Sequence, residues 1–110
     1  MTNKKYKLKS NEIKQLVANS GACLASDKIT VNGELVGYMY REKPDFKGDT
    51  GWRFFSGTET QTYADNPDNF AIYDTNTIAN YDPSIIPNLK LPVGSELERI
   101  KETTTFKLIN

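Results

Sequence analysis

The segment Gly51-Trp-Arg-Phe-Phe-Ser-Gly57 places large aromatic rings on both faces of one predicted strand. Successive side chains of a strand point to opposite sides, so Trp52 and Phe54 share one face, while Arg53 and Phe55 share the other. Rings on both faces are typical of a strand in the middle of a sheet, where both sides are covered. We therefore predict that Trp52–Ser56 is a central strand and that Trp52 and Phe54 pack in the core.

Upstream of this strand, the sequence predicts an N-terminal helix. Ser10 is a suitable N-cap, and apolar residues follow at helical spacing at Ile13, Leu16 and Val17. Gly21 supplies the left-handed conformation that ends many helices. The predicted helix is amphipathic and about nine residues long.

The segments on either side of Trp52–Ser56 predict the rest of an α+β domain with a mainly antiparallel sheet. Strands are predicted at 22–25, at 29–31 and at 35–41, and Asn32-Gly33 favours a type I′ hairpin turn between the last two. A fourth strand is predicted at 70–73. Short helices should follow it, one capped by Asp74 or Thr75 and one beginning at Asp82-Pro83, and the tail predicts a hairpin of Ser95–Ile100 with Thr103–Ile109.

Length and composition indicate one globular domain, residues 1–110. A chain of this size can bury a core without metals or disulfides. The single Cys23 cannot form an internal disulfide, which favours a reducing compartment. The basic N-terminus lacks the apolar run of a signal peptide, and no stretch is long enough to span a membrane. We therefore expect a cytoplasmic protein that does not bind membranes.

The charge is unevenly distributed along the chain. Residues 42–82 carry eight acids against three bases, although the net charge of the whole chain is zero. Such a region repels phosphate backbones and attracts basic partners, although it is also compatible with an ordinary solvated surface. The Lys-rich start is too short and too poor in aromatic residues for a nucleic-acid site, so no nucleic-acid partner is expected.

The catalytic inventory of the sequence is nearly empty. There is no His, so the common general base and the Ser-His and Cys-His dyads are absent. Cys23 lies in an apolar run and is interpreted as a core residue. Asp65 and Asp68, with Asn66 and Asn69, have the composition of a calcium loop but not the EF-hand order. We predict no cofactor, no metal and no enzymatic activity; an unrecognised carboxylate enzyme is the least favoured alternative.

Five segments of the chain resemble a bacterial family. They are Gly21–Lys28, Val36–Glu42, Gly51–Gly57, Asn66–Asn69 and Ile72–Pro83. The family was first catalogued as a domain of unknown function and later placed, as the thirty-third immunity family, among the immunity proteins of polymorphic toxin systems. The resemblance covers about Gly21 to Arg99. It implies a protein that binds a cognate toxin domain and blocks it inside the producing cell.

The acidic middle of the chain and its tyrosines are the predicted toxin-binding surface. The alternative is a regulatory module that holds a small molecule between the sheet and the Asp74–Pro87 helices. Neither hypothesis fixes the oligomeric state. The predicted partner-binding residues are Tyr40, Glu42, Asp45, Asp49, Tyr63, Asp65 and Asp68.

Overall fold

The computed structural model of the chain describes residues 4–110. Its strands are β1 (Ala22–Ser26), β2 (Tyr38–Arg41), β3 (Asp49–Phe55), β4 (Phe70–Asp74), β5 (Glu96–Arg99) and β6 (Phe106–Leu108). Its helices are α1 (Asp27–Thr30), α2 (Gln61–Ala64) and α3 (Thr75–Tyr81). Single 3-10 turns or short 3-10 helices occupy Ser10–Glu12, Pro67–Asn69 and Pro83–Asn88.

The strands form one sheet in the order β4-β1-β3-β2-β5-β6. Strand β1 runs parallel to β3, and the other neighbouring strands are antiparallel. The predicted α+β class, the central position of β3 and the terminal hairpin of β5 with β6 are confirmed.

One face of the sheet is closed by helices and carries the hydrophobic core. Trp52 and Phe54 of β3 are buried there, as predicted, beside Met39 of β2. Residues of α1, α3 and the 3-10 helix Pro83–Asn88 cover them, namely Ile29, Ile78, Ala79 and Ile85. The Trp52 indole Nε1 donates a hydrogen bond to the carbonyl of Leu89 at 3.1 Å. The polar end of this ring is thus satisfied inside the core.

The opposite side of the sheet, called the open face below, faces away from these helices. Its members follow from strand register, because residues paired across neighbouring strands point the same way. They include Leu24, Ser26, Tyr38, Tyr40, Arg53, Phe55, Phe70, Ile72, Glu96, Glu98 and Lys107.

The predicted N-terminal helix is wrong. Only Ser10–Glu12 forms a 3-10 turn, and residues 14–17 are held in a non-helical strap by amide side chains of α3. Asn80 Oδ1 accepts from Lys14 N at 2.9 Å, and Asn76 Oδ1 accepts from Leu16 N and Val17 N at 2.7 and 2.9 Å. Tertiary hydrogen bonds therefore take the backbone donors that a helix would have used.

The predicted strand at 29–31 and its hairpin are also wrong. Ser26 Oγ accepts from Lys28 N at 3.1 Å and starts the single turn of α1. Gly33 has a φ of 78° and its N–H donates to Ile29 O at 3.0 Å, so Asn32-Gly33 ends a helix. Strand β1 pairs instead with β3 and β4, which are distant in sequence.

A bulge in β3 positions the polar residues of the site. Ala22 is opposite Asp49 and Leu24 is opposite Arg53, so two residues of β1 face four of β3. Gly51 lies in the bulge with a φ of 90°, and a Cβ at this position would stand 1.9 Å from the carbonyl oxygen of Glu42. Only glycine fits both the conformation and the close approach of β2.

Candidate functional site

A row of aromatic rings crosses the open face and continues onto α2; we call it the aromatic ridge. Tyr40 stacks on Phe55 with ring centroids 6.0 Å apart, and Tyr38 lies 5.8 Å from Phe55. Phe55 meets Phe70 edge-on at 5.4 Å, and Phe70 meets Tyr63 of α2 at 6.1 Å. The ridge joins three strands and a helix into one partly exposed surface.

Acidic side chains border the ridge along β2 and β5. The Tyr38 hydroxyl donates a hydrogen bond to Glu96. Burial, together with this bond, raises the pKa of Tyr38 above its ordinary value. Glu98 is exposed, and its carboxylate lies 3.9 Å from Lys107 Nζ, a separation at which a solvated pair contributes little. The border of the ridge therefore carries the carboxylates of Glu96 and Glu98, with Lys107 beside Glu98 and Lys43 near Tyr40.

The only guanidinium among the open-face residues, that of Arg53, is fully engaged by carboxylates and backbone. Its Nη1 and Nη2 donate to Asp49 Oδ1 and Oδ2 at 3.0 and 2.8 Å, and Nε donates to Glu42 Oε2 at 2.6 Å. Hydrogen bonding to Asp49 is the main cause of the raised pKa of Arg53. The same hydrogen bonding lowers the pKa of Asp49 and outweighs burial, which acts to raise it. Two carboxylates around one guanidinium leave a surplus of negative charge.

The structure brings some of the predicted partner-binding residues together and separates others. Tyr40 and Tyr63 belong to the aromatic ridge, and Glu42 lies at its edge. Asp45 is exposed in the β2–β3 loop, and Asp65 and Asp68 are exposed in the segment between α2 and β4.

Asp49 departs from the expectation that it is exposed. Its side chain is fully buried against Arg53, and it also accepts hydrogen bonds from Asp45 N and Gly51 N, both at 2.8 Å. The bulge brings Asp49 against Arg53, and the charge pattern along the chain does not reveal this contact.

Several residues of the site were not among those predicted from the sequence. Phe55 was not predicted to bind a partner, yet it is the ring to which Tyr38, Tyr40 and Phe70 all pack. The alternation of side chains in β3, with Trp52 and Phe54 on one face, was the available signal for Phe55. Glu96 joins the site only through the pairing of β5 with β2, which no local pattern reveals.

Three adjoining grooves lie on the open face. The largest, about 430 Å³, contains Tyr38, Phe55, Glu59 and Glu98. A second, about 340 Å³, contains Tyr40, Glu42, Arg53, Phe55 and Phe70. A third, about 410 Å³, runs from Tyr38 and Tyr40 to Glu96. The grooves share the ridge residues Tyr38, Tyr40 and Phe55, so they adjoin one another along the ridge.

Other chemistry in the described part of the chain is limited. Cys23 is fully buried, as predicted, and burial raises the pKa of its thiol to about 12. Such a thiol stays protonated and is a poor nucleophile. Within residues 4–110, no cluster of three or more potential ligands is arranged to hold a metal ion. In the same part of the chain, no helix has the length and apolar character needed to cross a bilayer.

An α+β domain with one closed, helix-covered side and one open side of aromatic rings bordered by acids has the features of a protein-binding domain. Residues 23–110 match the Immunity protein Imm33 domain, so the chain belongs to this family of immunity proteins. No curated protein and no solved structure matches the chain.

Proposed function

We propose that the chain is a cytoplasmic immunity protein that binds a cognate toxin domain of a bacterial polymorphic toxin system and has no catalytic activity of its own. Membership of the Imm33 family supports a toxin-neutralising role. The observation that carries the proposed location of the interface is the aromatic ridge, with five packed rings partly exposed beside acids.

The composition of the open face supports this assignment. Tyrosine and phenylalanine are enriched at the centres of protein interfaces, where they supply large contact areas at low entropic cost. Glu42, Glu96 and Glu98, together with Asp65 and Asp68 beyond α2, favour a partner with a basic surface. Acids of this kind act mainly on the association rate.

The decisive experiment uses a candidate toxin domain from the same host. The purified toxin domain and chain are mixed, and association and dissociation rates are measured at two ionic strengths. Asp65→Lys/Asp68→Lys should slow association and flatten its salt dependence, whereas Tyr63→Ala should speed dissociation and weaken binding by about 2 kcal/mol if Tyr63 is a hot spot.

Matched variants away from the open face serve as controls. Glu102→Lys reverses a charge in the exposed turn between β5 and β6, and Leu108→Ala removes an apolar side chain that is 59% exposed and points to the closed side. Both should bind as the original chain does. Unchanged rates in the Asp65, Asp68 and Tyr63 variants, with folding intact, would place the interface elsewhere.

A small-molecule module is the second candidate function, and one cavity favours it. This cavity, about 510 Å³, is lined by Trp52 of the sheet, Thr75 of α3, Ile86–Pro87 and residues 17–20. Native mass spectrometry of chain purified from its host tests this function. A stoichiometric bound metabolite, together with no binding of the toxin domain, would favour the small-molecule module.

A further inference from the structure

The second groove on the open face has aromatic walls. Tyr40 and Phe55 are stacked on one side, and Phe70 lies edge-on to Phe55. Its volume of about 340 Å³ exceeds that of a single long side chain. Glu42 stands at the groove with its side chain 50% exposed.

The charge of this groove is unbalanced. Arg53 Nη1 donates to Trp52 O at 3.0 Å in addition to its bonds with Asp49, and Nε is bonded to Glu42 Oε2. One positive charge is therefore shared between two carboxylates. Among the described residues, Glu42 Oε1 accepts no hydrogen bond, so a free acceptor with surplus negative charge lies beside the rings.

We propose that this groove binds one cationic side chain, arginine or lysine, of the toxin domain. The stem packs on Tyr40 and Phe55, the positive group lies against a ring face, and an N–H donates to Glu42 Oε1. This inference rests on the proposed function and adds the residue class that the partner must supply.

Physical chemistry selects a cation for this groove. A cation within about 6 Å of a ring centroid is attracted by the ring, and more strongly when water is excluded. An anion would be repelled by Glu42, and an apolar residue would desolvate Glu42 Oε1 without giving it a hydrogen bond. The ridge already makes such a contact at its far end, where Lys28 Nζ lies 5.3 Å from the centroid of Tyr63.

A small probe tests the groove without the toxin. The ¹⁵N-labelled chain is titrated with N-acetyl-arginine amide, N-acetyl-lysine amide and, as the neutral isostere, N-acetyl-citrulline amide. Arginine or lysine should shift amides at 40–42, 53–55 and 70, and citrulline should bind roughly fivefold more weakly. Glu42→Gln keeps an acceptor for Arg53 and should remove this preference. Equal binding of citrulline and the cations, or shifts confined to other residues, would overturn the proposal.

The toxin domain provides the second arm. Each exposed arginine and lysine of the toxin is changed to alanine and combined with Glu42→Gln and, as the control, with Glu102→Gln. One basic residue should couple to Glu42 by roughly fivefold or more in affinity and show no coupling to Glu102. If the toxin binds but no basic residue couples to Glu42, the groove assignment is wrong and the proposed function stands. If the groove takes up arginine amide but the toxin does not bind, the proposed function fails.

Discussion

Asp49 and Arg53 lie four positions apart on strand β3, yet their side chains form a two-bond ion pair, with oxygen to nitrogen distances of 3.0 and 2.8 Å. Four residues of regular strand span roughly 13 Å, which is too far for such a pair. The bulge shortens this path and folds Asp49 beneath Arg53. A local irregularity of the strand thus creates the buried charge network under the open face.

Breaking this ion pair should strongly destabilise the fold. Asp49→Asn leaves the Arg53 cation buried with only Glu42 as an ionic partner, and we expect a loss of about 3–5 kcal/mol in the free energy of unfolding. Urea unfolding measures this loss. Asp45→Asn, a matched change at an exposed acid, should have little effect.

The contribution of Asp49 to the free energy of unfolding should depend on pH. Because Arg53 lowers the pKa of Asp49 in the folded state, the stabilisation is present above the ordinary value of 3.8 and is lost as pH falls through the lower folded pKa. The stability difference between the original chain and Asp49→Asn should therefore stay constant from pH 7 to about pH 5 and narrow in stronger acid. A difference that widens on acidification would contradict this assignment.

Gly51→Ala should disrupt the bulge. The new Cβ would meet the Glu42 carbonyl oxygen, and the φ of 90° would be strained as well. Gly48→Ala is the matched control, because Gly48 has a φ of 84° and nothing within 4 Å of the built Cβ. Thermal melts should show a modest loss for Gly48→Ala, about 1–3 kcal/mol, and a larger one for Gly51→Ala. Equal losses would mean that β2 readily moves aside.

Asn76 should hold the N-terminal strap closed. Asn76→Ala removes the acceptor for Leu16 N and Val17 N, and hydrogen exchange at these two amides should accelerate about tenfold. Asn76→Asp keeps the acceptor and loses only the bond to Lys14 O, so exchange at these amides should stay close to that of the original chain. Similar exchange in all three proteins would show that the strap is held by other contacts.

Substitution of Trp52 should mainly reduce stability, whereas substitution of Phe55 should mainly reduce toxin binding. Trp52→Ala empties a fully packed core position and should cost about 3–5 kcal/mol of the roughly 5–15 kcal/mol typical of a small domain. Phe55 is only half-buried, so Phe55→Ala should cost about 1–2 kcal/mol and mainly weaken toxin binding. Denaturant titrations and binding rates on the same samples make the comparison. A folded, binding-defective Trp52→Ala would contradict the core assignment.

The sequence predicted the parts of the fold that local patterns encode. Alternating rings identified β3 and the core position of Trp52, and the apolar setting of Cys23 identified a buried thiol. The N-terminal helix was predicted wrongly because the backbone N–H groups of Lys14, Leu16 and Val17 donate to Asn80 and Asn76, about sixty positions away. A helical pattern carries no information about such competing partners.

The candidate site was predictable to a similar extent. Tyr40 and Tyr63 were predicted as partner-binding residues, and both lie on the aromatic ridge, but their connection through Phe55 and Phe70 depends on strand order. The acids of β5 join the site through pairing with β2. The expected exposure of Asp49 was wrong because the bulge brings its carboxylate against the Arg53 guanidinium, and charge counting does not detect such a contact.

Because the side chains of β2 and β3 alternate between the closed and the open face, selection for stability and selection for binding act on different residues. Packing in the core constrains Met39, Trp52 and Phe54, whereas contacts on the open face constrain Tyr38, Tyr40 and Phe55. If the toxin binds the open face as proposed, its contact residues can change at alternate positions of β2 and β3 while the core residues between them stay the same. Arg53 is the exception, because this open-face residue is itself buried, and replacing it would leave the buried Asp49 carboxylate without its ionic partner.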